Sequence, residues 1–184
     1  MNGIPYTLIR SARKTISIQI RPDGEVTVRC PKRYPAGEAR KFVESKRPWI
    51  EKHLAGLAAE PQLPPLTAEE LRELARKAMA VIPERAAYFA PIVGVTYGRV
   101  TIRSQHTRWG SCSAKGNLNF NCLLMLAPAQ VLDYVVVHEL CHRKEMNHSQ
   151  RFWAEVAKVC PEYARHRKWL KDNGGALIGR LPKE

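Results

Sequence analysis

The 184-residue sequence has no CxxC pair, no long apolar run, no internal repeat and comparatively few acids, and each absence removes a class of protein. Its five cysteines (30, 112, 122, 141 and 160) are odd in number and widely spaced, which indicates neither a disulfide framework nor a four-thiolate zinc site. The opening MNGIPYTLIRSARK lacks the continuous apolar stretch of a signal peptide. Apolar runs near 123–127 and 134–137 are far too short to cross a bilayer. A reducing cytoplasm, with no membrane partner, is the expected setting. Acids number 17 against 30 Lys and Arg, and the net charge of +13 favours acidic substrates, nucleic acid or anionic surfaces. The basic residues are scattered along the chain, so the charge bears on association and not on fold. Apolar residues make up 45%, enough to bury a core without disulfide staples.

What is present begins with a two-residue period. In KTISIQIRPDGEVTVR (14–29), Ile16, Ile18 and Ile20 alternate with polar residues, Asp23-Gly24 supplies a tight turn, and Val26 and Val28 alternate on the return. This predicts a β-hairpin. Helical spacing follows over 36–57 through Ala39, Phe42 and Val43, with Pro48 expected to interrupt it before Trp49 and Ile50. Three prolines in GLAAEPQLPPL (56–66) mark a linker. The expected division is an N-terminal hairpin-plus-helix subdomain (1–60), a linker (61–66), a catalytic domain (67–175) and a C-terminal tail (176–184).

Thr67 with Glu70 forms a capping-box signature opening a helix whose stripe is Leu71, Leu74, Ala78 and Ile82. Pro83 is expected to kink or restart that helix and Pro91 to end it. Beyond Gly94, three short strands are expected over 99–104, around 108–113 and over 117–124, with a turn at Lys115-Gly116. Pro128 suits the first residue of a helix containing Val131, Leu132, Val135 and Val136, apolar nearly all round and therefore buried. Two shorter helices, 149–159 and 162–172, follow on either side of Pro161 and stop at Asn173-Gly174. The mixture makes the fold class α+β.

The chemistry lies in the apolar helix. His138-Glu139-Leu140-Cys141-His142 is an HExxH motif, and a spacing of four puts both imidazoles on one helical face, where they can grip one zinc. Glu139 points elsewhere, free to activate the attacking water as general base, while Zn2+ lowers the pKa of that water to about 7. A catalytic site needs a third ligand, and His148 is the candidate. An unbroken helix would turn His148 away, so a break is expected at Met146-Asn147, where asparagine tolerates a left-handed backbone, with Ser149 capping the next helix. Cys141, between the histidines on another face, is assigned to packing.

HTRWGSCSAKGNLNFN (106–121) followed by DYVVVHELCHRKEMNHSQRFW (133–153) resembles the YgjP-like metallopeptidase domain family, relatives of SprT-like and other zincin proteins. The resemblance extends over the N-terminal hairpin and the closing PEYARHRKWLK (161–171). It implies a zincin-like metallopeptidase domain, with His138, His142 and His148 as metal ligands and Glu139 as base. It implies a peptide or protein substrate, with metal-dependent hydrolysis of a nucleotide pyrophosphate as the alternative. A third reading is a nucleic-acid-associated zinc module, which the charge permits although no nucleic-acid-binding motif is present.

In zincins a strand before the metal helix borders the cleft and pairs with extended substrate. Arg108, Trp109, Ser111, Cys112 and Asn121 are therefore candidates to line or brace the site. Asn119 can present an amide on the same strand, and Tyr163, Arg165 and His166 are candidates to reach back as oxyanion donors. His106 is not expected to be a ligand, and Phe152, Trp153, Trp49 and Trp169 are assigned to the core.

Overall fold

The computed structural model describes residues 3–21, 24–59 and 63–182. The chain forms two compact units, Met1–Leu63 and Pro64–Glu184. In the first, β1 (Thr7–Ser11), β2 (Ser17–Ile20) and β3 (Val26–Pro31) make a sheet of order β1-β3-β2. The predicted hairpin is β2 against β3, with Ile18 opposite Val28 and Ile20 opposite Val26, so the alternating residues share one face. Gly24 enters β3 at φ 83°, while its turn partner Asp23 lies outside the described residues. The first strand was not anticipated. It runs parallel to β3, and its Ile9 is 37% exposed beside a half-buried Leu8, so no clean alternation announces it.

Helices α1 (Ala36–Ser45) and α2 (Arg47–Ala59) cover this sheet's apolar face, burying Val43 and Ile50 with Val26 and Val28. The break between them falls at Lys46, ahead of Pro48, which sits in the first turn of α2 where a missing N–H costs nothing. Trp49 is not core as expected: it is 43% exposed and lies against the His53 ring, and Ile50 takes the buried position.

The second unit opens with α3 (Ala68–Val93) on the predicted capping box, the Thr67 hydroxyl accepting from the Glu70 amide and the Glu70 carboxylate accepting from the Thr67 amide. Neither proline breaks α3, which ends at Gly94 in the left-handed region (φ 77°). Each proline leaves one carbonyl without its helical partner, that of Met79 or Ala87, and both residues are on the exposed side where water replaces the bond. Strands β4 (Val100–Arg103), β5 (Gly110–Cys112) and β6 (Leu118–Asn121) form a second sheet of order β4-β6-β5. The chain then passes through a 3-10 turn (Cys122–Leu126) to α4 (Ala129–Cys141), α5 (Gln150–Val159) and α6 (Tyr163–Ile178).

The α+β class is as expected, and α4 is the buried centre of this unit. Val131, Leu132, Tyr134, Val135, Val136, Val137, Leu140 and Cys141 all contribute to one core with Ile82 of α3, Phe120 of β6 and Phe152 of α5. Arg85 of α3 grips Asp133 of α4 with two parallel hydrogen bonds of 2.6 and 2.7 Å. Among the described residues no helix is long and apolar enough to cross a membrane, and the five cysteines are free thiols.

The C-terminal end departs from expectation. Helix α6 does not stop at Asn173-Gly174 but continues to Ile178, because Gly174 is buried against the Trp109 indole, where an added Cβ would meet Cζ2 at 3.1 Å. The glycine marks a close approach and not a helix end. Nor is 176–182 a loose tail: Leu177 and Leu181 are buried, the Leu66 amide donates to the Arg180 carbonyl at 2.8 Å, and the Arg180 guanidinium donates to the Pro64 carbonyl. Leu181→Ala is accordingly expected to lower the unfolding free energy by about 2–5 kcal/mol in urea titrations, whereas a free tail would leave it unchanged.

Candidate metal centre

The centre is built from the last turn of α4 and the loop behind it. His138 and His142, one turn apart, present rings with centroids 4.9 Å apart. After Cys141 the chain folds through tight turns, the amides of Arg143, Lys144 and Glu145 reaching back to the carbonyls of Leu140 and Cys141. The expected left-handed Asn147 is not used: no described non-glycine residue has positive φ. The helix unwinds instead because the His142 Nδ1–H donates to the Glu145 carbonyl at 3.0 Å, which holds the turn and leaves Nε2 of His142 facing the cleft. Ser149 caps α5 as predicted, its hydroxyl accepting from the Phe152 amide, and His148 stands just before that cap. Lys144 bonds Glu155 at 2.7 Å, and Lys158 joins the same carboxylate, tying the loop to α5.

The outcome is a cluster of three imidazoles whose ligand atoms lie within 4.8 Å of one another. Nε2 of His138 and Nε2 of His148 are 2.9 Å apart. Phe152 lies against all three rings at centroid distances of 4.5–4.8 Å. Trp153 stacks on His148 and Tyr163 stacks on Trp153 at 5.2 Å, so the exposed His148 is held by an aromatic column. With Gly110, Ser111, Cys112, Glu139 and Met146, the histidines line a cleft of about 240 Å³.

The electrostatics of the cluster suit a cation. Burial, together with the neighbouring His142, His148 and Arg167, pushes His138 down to about 3, and burial also lowers His142. Both imidazoles are then neutral at physiological pH, the state in which a metal takes them. Glu139 is only 5% exposed, and burial pushes its carboxyl up to about 8, with the Arg108 charge acting in the opposite direction. Its Oε2, like Nδ1 of His138, is buried without a hydrogen-bond partner among the described residues. Orphaned buried polar atoms are costly. A convergent set of neutral nitrogens beside an unsatisfied carboxyl is a donor set that a divalent metal and its attendant oxygen ligands complete.

A family model described as YgjP-like, metallopeptidase domain, matches residues 14–74 and 66–173. The chain belongs to this family, and so to the metal-dependent hydrolases. Two solved structures are similar to part of it. One is the metallopeptidase zymogen of Pyrococcus abyssi abylysin, 26% identical, with a TM-score of 0.45 over 50% of this chain and 93% of that one. The other is the metallopeptidase zymogen of Methanocaldococcus jannaschii jannalysin, 19% identical, with a TM-score of 0.42 over 48% of this chain and 94% of that one. No curated protein matches the chain.

The secondary candidates divide. Ser111 and Cys112 line the cleft, and the Cys112 thiol is pushed up by burial and then by the Glu139 charge. Arg108 is exposed nearby and Trp109 packs on Gly174 instead of lining the cleft. Asn121 is not a lining residue either. It is fully buried, donating to the carbonyls of Gln105 and Arg108 and accepting from the Leu123 amide, so it braces the segment leading into β5. Asn119 donates to the Ser111 hydroxyl at 3.2 Å. Tyr163 is engaged by Trp153 and is absent from the cleft lining, Arg165 is exposed beside Glu162, and His166 lies against Tyr134. His106 is exposed and outside the imidazole group, and Cys141 is buried with its thiol pushed up to about 12, chiefly by burial.

Gly110 and Met146 are site residues that were not singled out in the sequence. For Gly110 a signal existed, since a glycine inside a strand pattern marks close backbone approach. A Cβ at Gly110 would stand 2.5 Å from Oε1 and 2.7 Å from Cγ of Glu139, so the missing side chain is the space in which the carboxylate rests. Gly110→Ala is expected to displace Glu139 and lower turnover by about a hundredfold, the order of loss a misplacement near 1 Å causes, with metal content unchanged. Parallel measurement of kcat and bound metal checks this, and an unaltered kcat counts against the role.

The loop anchor has its own pH signature. Hydrogen bonds from Lys144 and then Lys158 hold Glu155 down at about 2, against an ordinary 4.5. A carboxyl whose folded pKa is depressed adds stability that is full above the unfolded pKa and is lost as pH falls through the folded one. The difference in melting temperature between wild type and Glu155→Gln is therefore expected to be full at pH 6 and to shrink as pH drops from 4.5 toward 2. A difference independent of pH over that range would refute the ion-pair anchor.

Proposed function

We propose that the protein is a zinc peptidase in which His138, His142 and His148 hold the metal and Glu139 is the general base. One observation carries the reading: three imidazoles converge beside a buried, unsatisfied carboxyl, directly under the edge strand β5. Three nitrogens with an open side suit zinc, at roughly 2.0–2.1 Å each. Bound there, zinc would supply a Lewis acid, would lower the pKa of a water at the open position to about 7, and would oppose with its charge the desolvation that favours protonated Glu139.

The chain's own groups do the rest. Glu139 is held by Gly110 on one side and by its own buried helix on the other, so its carboxylate takes the proton of the attacking water at a fixed place and returns it to the departing amine. Strand β5 pairs with β6 along one edge only, and its other edge has no strand partner among the described residues. Gly110, Ser111 and Cys112 therefore offer backbone groups along the cleft, to which an extended peptide can add as a further strand. That edge favours a peptide over a nucleotide.

Glu139→Gln is expected to retain one zinc per chain while turnover falls by about 10²–10⁴. Metal analysis and cleavage of a peptide library, with nucleoside triphosphates offered in parallel, provide the check. Chelation is expected to abolish turnover and added zinc to restore it. Loss of metal from Glu139→Gln would make the glutamate structural and sink the proposed base.

A further inference from the structure

Several basic groups of the second unit are committed to partners. Lys144 and Lys158 share Glu155, Arg85 holds Asp133, and the Arg143 guanidinium donates to the carbonyls of Thr96 and Ala114. Two arginines beside the cleft are not committed in this way. Arg108 is exposed two residues before Gly110, at the approach to the cleft-lining strand β5. Arg167 is exposed on α6 with its guanidinium 4.8 Å from the centre of the Trp153 ring, and Trp153 stacks on His148, which lines the cleft. Neither arginine has an ion pair among the described residues. Among the described residues, the only carboxylate lining the cleft is Glu139, which is buried.

We propose that the cleft selects peptides bearing acidic side chains close to the scissile bond, with Arg108 receiving a carboxylate at the approach to β5 and Arg167 one beside Trp153. The inference rests on the peptidase reading above. A guanidinium lying on an indole is orientated by its face and keeps its N–H edge for a carboxylate, which it grips in bidentate fashion. Unpaired cations near the cleft repel lysine and arginine side chains, so selection works by exclusion as well as by attraction. A nucleotide's phosphates would also satisfy two guanidinium groups, but the open β5 edge addresses peptide amides and has no use in binding a nucleotide.

The test uses the zinc-loaded full chain and matched peptides differing only in having Ala, Glu or Lys around a cleavage site located by library digestion. Glutamate peptides are expected to exceed their lysine counterparts in kcat/KM by about tenfold, the combined effect of two partly exposed charge contacts. The gap is expected to narrow as salt rises from about 0.1 to 1 M and the screening length falls from about 10 to 3 Å. Arg108→Glu and Arg167→Glu are each expected to shift the ratio toward lysine peptides by about three- to tenfold, with zinc content and melting temperature checked for intact fold. Should either variant misfold, the wild-type series still decides. Cleavage of all three peptides at equal rates, or faster with lysine, overturns the proposed selectivity and leaves the peptidase reading standing. Hydrolysis of nucleoside triphosphates with no peptide cleaved overturns both.

Discussion

Helix α4 is the member on which everything else in the second unit depends, because it must be buried for the fold and yet polar for the chemistry. Its apolar residues pack against α3, β6 and α5, and only its last turn opens to the cleft. Desolvation is the common consequence. It keeps His138 and His142 neutral and pushes Glu139 toward its protonated form, leaving a carboxyl oxygen and an imidazole nitrogen unsatisfied. A cluster so arranged is held by its surroundings at some cost in polar satisfaction, and a cation removes most of that conflict. The same burial therefore fixes the helix and prepares the site for metal.

The third histidine is positioned by different means. His148 is exposed and lies on a loop, where entropy favours disorder. What holds it is an arrangement of small contacts: the His142–Glu145 hydrogen bond, the Lys144–Glu155 pair, the Ser149 cap, and the Phe152 and Trp153 rings beneath it. No strained backbone is involved. Metal affinity in this design is a property of the loop's order as much as of the ligands themselves.

Opposite this loop, the second sheet contributes an edge. Because β6 occupies the centre, β5 is left with one edge unpaired, and Gly110 lets that strand approach Glu139 more closely than any side chain would allow. Asn121 and the Trp109–Gly174 contact hold the segment from below, so a strand of three residues keeps its place. On the proposed reading, the cleft has a backbone edge for affinity and, in Arg108 and Arg167 nearby, charges for choice.

Much of this was legible in local spacing. The β2–β3 alternation, the Thr67 capping box, the HExxH turn and the Ser149 cap each depend on residues a few positions apart, and each folds as its pattern predicts. Part of what was misread depends on contacts distant in sequence. Strand β1 is recruited by β3, and Gly174 and Arg180 meet partners more than 60 residues away. The sequence by itself determined that His138, Glu139 and His142 share the end of one apolar helix, since helical periodicity needs no other information. Tertiary structure alone decided that Gly110 cradles the glutamate, that Asn121 braces instead of lining, and that Arg167 lies on the Trp153 ring beside His148, because proximity across a fold is set by packing and leaves no periodic trace in the chain.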